Sequence, residues 1–232
     1  MLMDIFSSFD DNNQVFMSFY MLMWLFPIST LMLFSLSYWV TSAPQWTSII
    51  STFKDTVSSQ IFRSFGFNMG GFMNIVTALF LFLIMMNLSG LMPYVFSPTS
   101  HLAVSLSLGL PFWLSLILSA VIFNPSSVVA GLLPMGAPAP LNPFLVIIET
   151  VSIMVRPITL SVRLTANMSA GHIVLTLIGN YLTASMFMSS MFIMFTLLMI
   201  QVLYTIFEFG IALIQAYIFC LLITLYSDEH PH

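Results

Sequence analysis

Four ionisable side chains lie inside long apolar segments of this chain, where a charge is expensive. They are Glu149, Arg156, Arg163 and Glu208, out of four Lys or Arg and eight Asp or Glu in 232 residues. On insertion scales, an Arg or Asp at the centre of a membrane helix costs roughly 2.5–3.5 kcal/mol. Residues kept at that cost are candidates for chemistry, so the search for a function starts with these four.

The spacing of the polar residues predicts two helical stripes. Glu149, Arg156 and Arg163 are seven residues apart, and seven steps of about 100° end roughly 20° short of two turns. Asn167 follows Arg163 by four residues and lies close to it, whereas His172 follows by nine and faces roughly the opposite way. A second stripe with the same spacing of seven comes later in the chain: Gln201, Glu208 and Gln215.

These residue types divide the chemistry between them. Arg163 keeps its proton in any ordinary site, so it can hold a carboxylate or repel a cation but cannot relay protons. Glu149, His172 and Glu208 can relay protons. Along the helix we expect Glu149 near the inner face and Arg163 in mid-membrane, with His172 and Glu208 further outward. Two proton-accessible regions on opposite faces would then be divided by a permanent positive charge.

Simpler interpretations compete with this pattern. Glu149 and Arg156 could form an internal ion pair, which is the role that we prefer for Arg156. His172 could be a packing residue bonded to a carbonyl group, and Gln201 and Cys220 are interpreted as packing residues. An unpaired arginine in mid-span is hard to justify structurally, so a purely structural role is least convincing for Arg163.

Composition limits the classes of protein that this chain can belong to. Hydrophobic residues make up 59% and charged residues 5%, and the mean hydropathy is +1.03, which excludes a soluble fold. The absence of basic clusters argues against nucleic acid as a partner. One cysteine excludes an internal disulfide and a multi-cysteine metal site, and no phosphate-binding GxxxxGK[ST] motif occurs. We therefore expect no metal and no cofactor in an all-α polytopic membrane protein.

The chain reads as one membrane domain over residues 1–232. We predict a first span at 16–40, an amphipathic helix lying in the membrane interface at 44–66, a helical hairpin at 72–123 and a Pro/Gly-rich loop at 124–143. A long hairpin follows at 144–226, with a turn signal at Gly179. A soluble connecting helix is the alternative for 44–66. About five membrane-embedded helices and one interfacial helix result.

The last hairpin is too long for a perpendicular crossing. Its two segments would be roughly 50 and 60 Å long as helices, whereas the hydrocarbon core is about 30 Å thick. Either each helix is steeply tilted or each is broken, and Pro157 could break the first. The second contains no comparable breaker, so we predict one long, tilted helix there and a steeply tilted hairpin overall. Lys54 and Arg63 place the region 44–66 on the inner side by the positive-inside rule, so the N-terminus is predicted outside and the C-terminus inside.

Several motifs of this chain resemble those of the a subunits of rotary ATP synthases, called subunit 6 in mitochondria. The resemblance rests on IETVS at 148–152, Arg156-Pro157, RLTANMSAGH at 163–172 and ALIQAYIF at 212–219, with NLSGLMPY at 87–94 and PTSH at 98–101. The short length, the Met and Phe bias and the lack of a targeting signal resemble versions made inside the mitochondrion.

This resemblance implies a mechanism and a set of partners. A member of the family is the stator facing a ring of c subunits with lipid-facing carboxylates, alongside other membrane-sector and peripheral-stalk subunits in the mitochondrial inner membrane. Protons would enter one half-channel from the intermembrane space, ride round on the ring and leave through a second half-channel to the matrix. The N-terminus would lie in the intermembrane space and the C-terminus in the matrix.

The resemblance also implies residue roles. Arg163 matches the essential arginine that attracts the ring carboxylate and blocks a direct leak. His172 and Glu208 match the inlet side and Glu149 the outlet side, while Gln215 matches a glutamine close to the arginine. Weaker matches suggest an outlet role for the tail acids Asp228 and Glu229. They also suggest inlet roles for Asn87 and His101.

Two other functions remain open from the sequence. One is a secondary transporter in which Arg163 binds an anionic substrate, although no internal repeat supports it. The other is a purely structural subunit of a respiratory membrane complex, which would need no ionisable groups in two depth-separated sets. Protons are favoured over sodium as the coupling ion because the intramembrane polar groups are titratable.

Overall fold

A computed structural model describes Ser29 and residues 45–68, 70–92, 97–133, 141–188 and 191–228. Within these ranges the protein is helical and contains no strand. The helices are α1 (Gln45–Ile61), α2 (Phe72–Gly90), α3 (Leu102–Phe123), α4 (Pro125–Gly131), α5 (Asn142–Met188) and α6 (Met191–Asp228), with short 3-10 turns at Phe65–Asn68 and Pro98–Ser100. The predicted first span at 16–40 lies outside the described residues apart from Ser29.

Four of the described helices are long and apolar enough to cross a membrane: α2, α3, α5 and α6. This confirms the prediction of an all-α polytopic membrane protein. The spans predicted at 72–89 and 102–123 coincide with α2 and α3 to within one residue. Gly71 precedes α2 with a φ of 83°, a left-handed conformation that glycine adopts without steric cost.

Helix α2 lies at the centre of the helical bundle, and α3 lies at its edge. Half of the apolar window of α2 is buried, compared with 6% for α3. The core of the protein forms where α2 meets α5 and α6, around the fully buried side chains of Val76, Leu83, Leu164 and Phe219. Helices α5 and α6 also pack against each other, and each keeps a second face without cover from the described chain.

Helix α1 docks its apolar stripe on the membrane helices. Val57 and Ile61 are buried in the core cluster, while Lys54 and Asp55 on the other side are exposed. Gln60 Nε2 donates a hydrogen bond to the Tyr217 hydroxyl of α6. The amphipathic pattern thus predicted the helix correctly, although it ends at Ile61, five residues earlier than expected. Its position in the membrane interface remains a prediction.

Two expectations about loops are wrong. The segment 124–143 was predicted to be a loop, but α4 occupies part of it, with Pro125 in its first turn and Asn124 Oδ1 accepting a hydrogen bond from the Ser127 backbone N–H. The turn predicted at Gly179 lies inside α5, which continues to Met188. A single helical glycine costs only about 1 kcal/mol relative to alanine, and the strongly apolar surroundings on either side outweigh that cost.

Helix α5 also continues through Pro157 without an end. Its 47 residues and the 38 residues of α6 correspond to about 70 and 57 Å. Both lengths greatly exceed the roughly 30 Å of hydrocarbon. Both helices are continuous, so the alternative of broken helices is wrong. Their steep tilt in a bilayer remains a prediction.

A tight contact at Gly66 provides a test of the packing. A Cβ atom at Gly66 would lie 2.5 Å from Ser227 Oγ and 2.7 Å from a ring carbon of Phe72, whereas at Gly70 nothing lies within 4 Å. We expect Gly66→Ala to destabilise the protein by about 1–3 kcal/mol through overpacking. Thermal unfolding in detergent measures the effect. Gly70→Ala is the matched control, and equal unfolding midpoints for both variants would contradict the described packing.

Candidate functional site

Arg163 lies on the outward face of α5, away from the core. Leu160 and Leu164 on either side of it are buried, because a helix turns its i and i+4 positions to the same face. The Arg163 side chain is exposed and, among the described residues, has no hydrogen bond or ion pair. The exposed residues one turn away on the same face of α5 are uncharged: Thr159, Ala166 and Asn167. A permanent cation therefore stands among uncharged neighbours on this helix.

A hydrogen bond between the two long helices lies one turn from this arginine. Asn167 Nδ2 donates to Gln215 Oε1 at 2.8 Å, and Gln215 is only 3% exposed. The structure thus brings together two residues that the sequence had placed beside Arg163 on separate grounds, Asn167 by spacing and Gln215 by resemblance. Their bond ties α6 to α5 at the level of the arginine.

Glu208 is buried between α5 and α6 and lies directly against Gly171. It is 2% exposed, and a Cβ atom at Gly171 would overlap its carboxylate. The Tyr204 hydroxyl, one turn earlier on α6, faces the same carboxylate. A residue without a side chain is therefore required at 171, and that requirement was not recognised from the sequence. A glycine in the middle of a long helix was the available signal.

His172 follows the glycine that receives the Glu208 carboxylate. The imidazole is partly buried, and its Nε2 atom has no contact with the exterior. The two residues predicted for the outer relay thus lie at the same level of the α5–α6 hairpin. His172 and Arg163 are nine residues apart on one continuous helix, so their side chains leave it on roughly opposite sides.

Glu149 and Arg156 form an ion pair near the start of α5. Arg156 Nη2 lies 3.6 Å from Glu149 Oε1, and the two side chains are 24% and 39% exposed. The pairing that the sequence analysis preferred for Arg156 is present. The guanidinium carbon of Arg156 also lies 5.3 Å from the centre of the Tyr226 ring, near the end of α6.

The ion pair lines a cavity of about 470 Å³ between α3, α4, α5 and α6. The cavity is large enough for several water molecules, since a water takes up roughly 30 Å³ in the liquid. Its polar lining groups cluster at the ion pair, and most of the remaining wall is apolar. The lining residues are Trp113, Leu116, Ile117, Ala120, Ser127, Val128, Gly131, Leu132, Glu149, Ile153, Arg156 and Tyr226.

The two carboxylates belong to separate regions of the hairpin. Glu208 contacts Gly171, which is 22 residues after Glu149 on α5, or about 33 Å along the helix axis. Arg163 lies between them. One exposed arginine thus separates two regions of the hairpin, each of which contains one carboxylate.

The remaining predicted residues are more peripheral. Asn87 is fully buried and donates a hydrogen bond from Nδ2 to the Ala212 carbonyl at 3.3 Å. His101 is partly buried beside the 3-10 turn that precedes α3, and Asp228 is exposed at the end of α6. Glu229 lies outside the described residues. Within the described ranges, no group of three His, Cys, Asp or Glu is arranged to hold a metal.

Comparison with known proteins identifies the family of this chain. The sequence profile of the family described as "ATP synthase A chain" matches residues 15–228. The chain is 40% identical to "ATP synthase subunit a" of Artemia franciscana, over 99% of this chain and 100% of the relative, and 40% identical to that of Drosophila melanogaster, over 99% of both. The "ATP synthase F(0) complex subunit a" of Scyliorhinus canicula is 45% identical over 70% of this chain and 72% of its own. A family match over nearly the whole chain, with relatives at this identity, shows that the chain belongs to the ATP synthase A chain family.

Proposed function

We propose that this chain is the proton-conducting stator of a mitochondrial F-type ATP synthase. Membership of the family supports a subunit of the membrane sector of that synthase, and it argues against a free-standing secondary transporter. The proposal adds the mechanism: two offset half-channels against a ring of c subunits, separated by Arg163. It also identifies the proton as the transported ion and includes the peripheral-stalk subunits as further partners.

The observation that carries the proposal is the exposed Arg163 among uncharged neighbours on α5. A charge at this depth is stable only beside a compensating group, and the described chain provides none within bonding distance. A lipid-facing carboxylate on a neighbouring c subunit would provide one. Because the arginine cannot release its proton, it would attract a deprotonated ring carboxylate and prevent protons from passing straight between the two regions.

The two carboxylates on either side of Arg163 would supply the rest of the route. Glu208, with His172 at the same level, would transfer protons from the intermembrane space to the ring. Glu149 would accept protons that leave the ring and pass them through its cavity to the matrix. Gln215 and Asn167 would support the wall between the two paths at the level of Arg163. The hydrogen bond between them fixes the separation of α5 and α6 at that point.

A rotary mechanism fits the free energy that one proton can supply. One charge crossing the membrane potential is worth roughly 2.3 kcal/mol per 100 mV, so several protons must be summed for each ATP. Tilted helices the length of α5 and α6 would provide an extended contact with a rotating ring. In this arrangement the N-terminus lies in the intermembrane space, the C-terminus lies in the matrix, and the nucleotide chemistry takes place in partner subunits.

Removal of the Arg163 charge tests the stator role. We expect Arg163→Ala to abolish ATP synthesis driven by a proton gradient in membranes that contain the complete synthase. ATP hydrolysis by the soluble head should persist, since the nucleotide sites lie in other subunits. Arg63→Ala is the matched control, because Arg63 is exposed in the turn after α1, and it should leave synthesis normal. Normal synthesis in Arg163→Ala would refute the role of this residue.

The contact between Gly171 and Glu208 gives a second test. A methyl group at 171 would displace the Glu208 carboxylate, and a misplacement of about 1 Å can slow a reaction about 100-fold. We expect Gly171→Ala to reduce passive and ATP-driven proton flux by about 10- to 100-fold while the complex still assembles. Gly179→Ala on the same helix meets no atom within 4 Å and is the control. Equal proton flux in the two variants would count against Glu208 as part of the inlet.

A further inference from the structure

Hydrogen bonds from α1, α2 and α5 end on one short stretch of α6, residues 212–217. The stretch is less than about two turns long, so these bonds hold α6 at a single level of the bundle. It is the level at which Asn167 of α5 lies one turn from Arg163. Each donor is a side-chain amide: Gln60 donates to the Tyr217 hydroxyl, Asn87 to the Ala212 carbonyl at 3.3 Å, and Asn167 to the Gln215 side chain at 2.8 Å.

Asn87 is an expensive residue for its position on α2. It is fully buried in a helix whose buried neighbours are apolar, among them Ile84 and Met86. A carbonyl oxygen only accepts hydrogen bonds, so the amide nitrogen must face Ala212, and the Oδ1 atom has no donor in the part of the chain that the structure describes. A buried amide with an unmade hydrogen bond is less stable than an apolar side chain of its size. Packing alone therefore does not explain Asn87, and the bond to α6 is what its amide provides.

The acceptor of this bond is a backbone atom, so the bond constrains the whole of α6 rather than one side chain. Ala212 and Ala216 are fully buried one turn apart, and their small side chains leave room for the Asn87 amide to reach the α6 backbone. A helical carbonyl points toward the residue four positions later, so the Ala212 oxygen lies at the level of Gln215. A slip of α6 by one residue would move it by about 1.5 Å and turn it by about 100°, which would take Gln215 away from Asn167.

We infer that Asn87 is a positioning residue of the wall between the two half-channels, which holds α6 in the register that keeps Gln215 on Asn167 beside Arg163. This inference rests on the proposed function and gives Asn87 a role other than the inlet role that the family resemblance implied. The bond from α1 to Tyr217 supports the same register from another helix. A loss of register would open the contact between α5 and α6 at the level of the arginine. Water could then enter the gap, and protons could pass without turning the ring.

The experiment uses sealed vesicles that contain the complete synthase, with two measurements per assembled complex. One is the initial rate of ATP synthesis under an imposed proton gradient. The other is the decay of that gradient without ADP and phosphate, when the coupled route does not turn over. We expect Asn87→Leu to lower synthesis by about 10-fold, since small misplacements can cost this much, and to speed the decay several-fold. Asn74→Leu is the matched control, because Asn74 is exposed on the same helix, and it should change neither quantity.

A double-mutant cycle separates positioning from an independent contribution. We expect Gln215→Leu to lower synthesis and to speed the decay in the same way, because it removes the contact that Asn87 maintains. Residues that act through one contact are not additive. The double variant Asn87→Leu/Gln215→Leu should therefore lie within about twofold of Gln215→Leu alone in both measurements, whereas the effects of independent residues would multiply.

Each outcome decides the inference. Reduced synthesis in Asn87→Leu with a normal gradient decay would assign this residue to the inlet and overturn the inference, and so would effects that multiply in the double variant. If Asn87→Leu does not assemble, Asn87→Ala replaces it, and failure of both would show a role in assembly instead of positioning. Arg163→Ala in the same vesicles tests the proposed function separately. Synthesis abolished in Arg163→Ala, together with multiplying effects in the cycle, contradicts the positioning role and leaves the stator role intact, whereas normal synthesis in Arg163→Ala removes the stator role whatever the cycle shows.

Discussion

A charged side chain at the depth of the hydrocarbon is stable only when another charge, a polar group or water compensates it. The arrangement of α5 and α6 follows from this constraint. Glu149 is compensated by Arg156 beside a cavity, and Glu208 by the Tyr204 hydroxyl in a space left open by Gly171. Arg163 has no such partner in the described chain. Two charges are thus compensated within the subunit, and the proposed function assigns the compensation of the third to a neighbouring subunit.

The packing of the other helices explains why Arg163 can remain on an open face. Helix α2 fills the centre, and α5 and α6 bury one side of each helix against it around Leu164 and Phe219. The opposite sides are lined by exposed apolar residues such as Val162 and Ile214. In the proposed function, a hairpin with one face fixed to a rigid core would suit a neighbour that moves past it, because the contact would not depend on interlocking with that neighbour.

Particular residues show where prediction from the sequence succeeded. Helices α2 and α3 were predicted almost to the residue, because each is an apolar run bounded by glycine, proline or polar residues. The spacing of seven placed Glu149 beside Arg156, and the pair is present. The turn signal at Gly179 was misread, since one glycine does not outweigh the helix-forming residues around it. The short helix α4 was missed because its seven residues are rich in Pro, Ser and Gly.

The sequence by itself determined the class of the protein and the order of its ionisable groups along the two long helices, since hydropathy and helical periodicity act along a single chain. It could not determine what Gly171 and Tyr226 contact, because Glu208 and Arg156 reach them from residues distant in the chain. The cavity beside Glu149 likewise exists only where four helices meet. Contacts between helices depend on how far each is rotated and tilted, and packing of the whole molecule decides both.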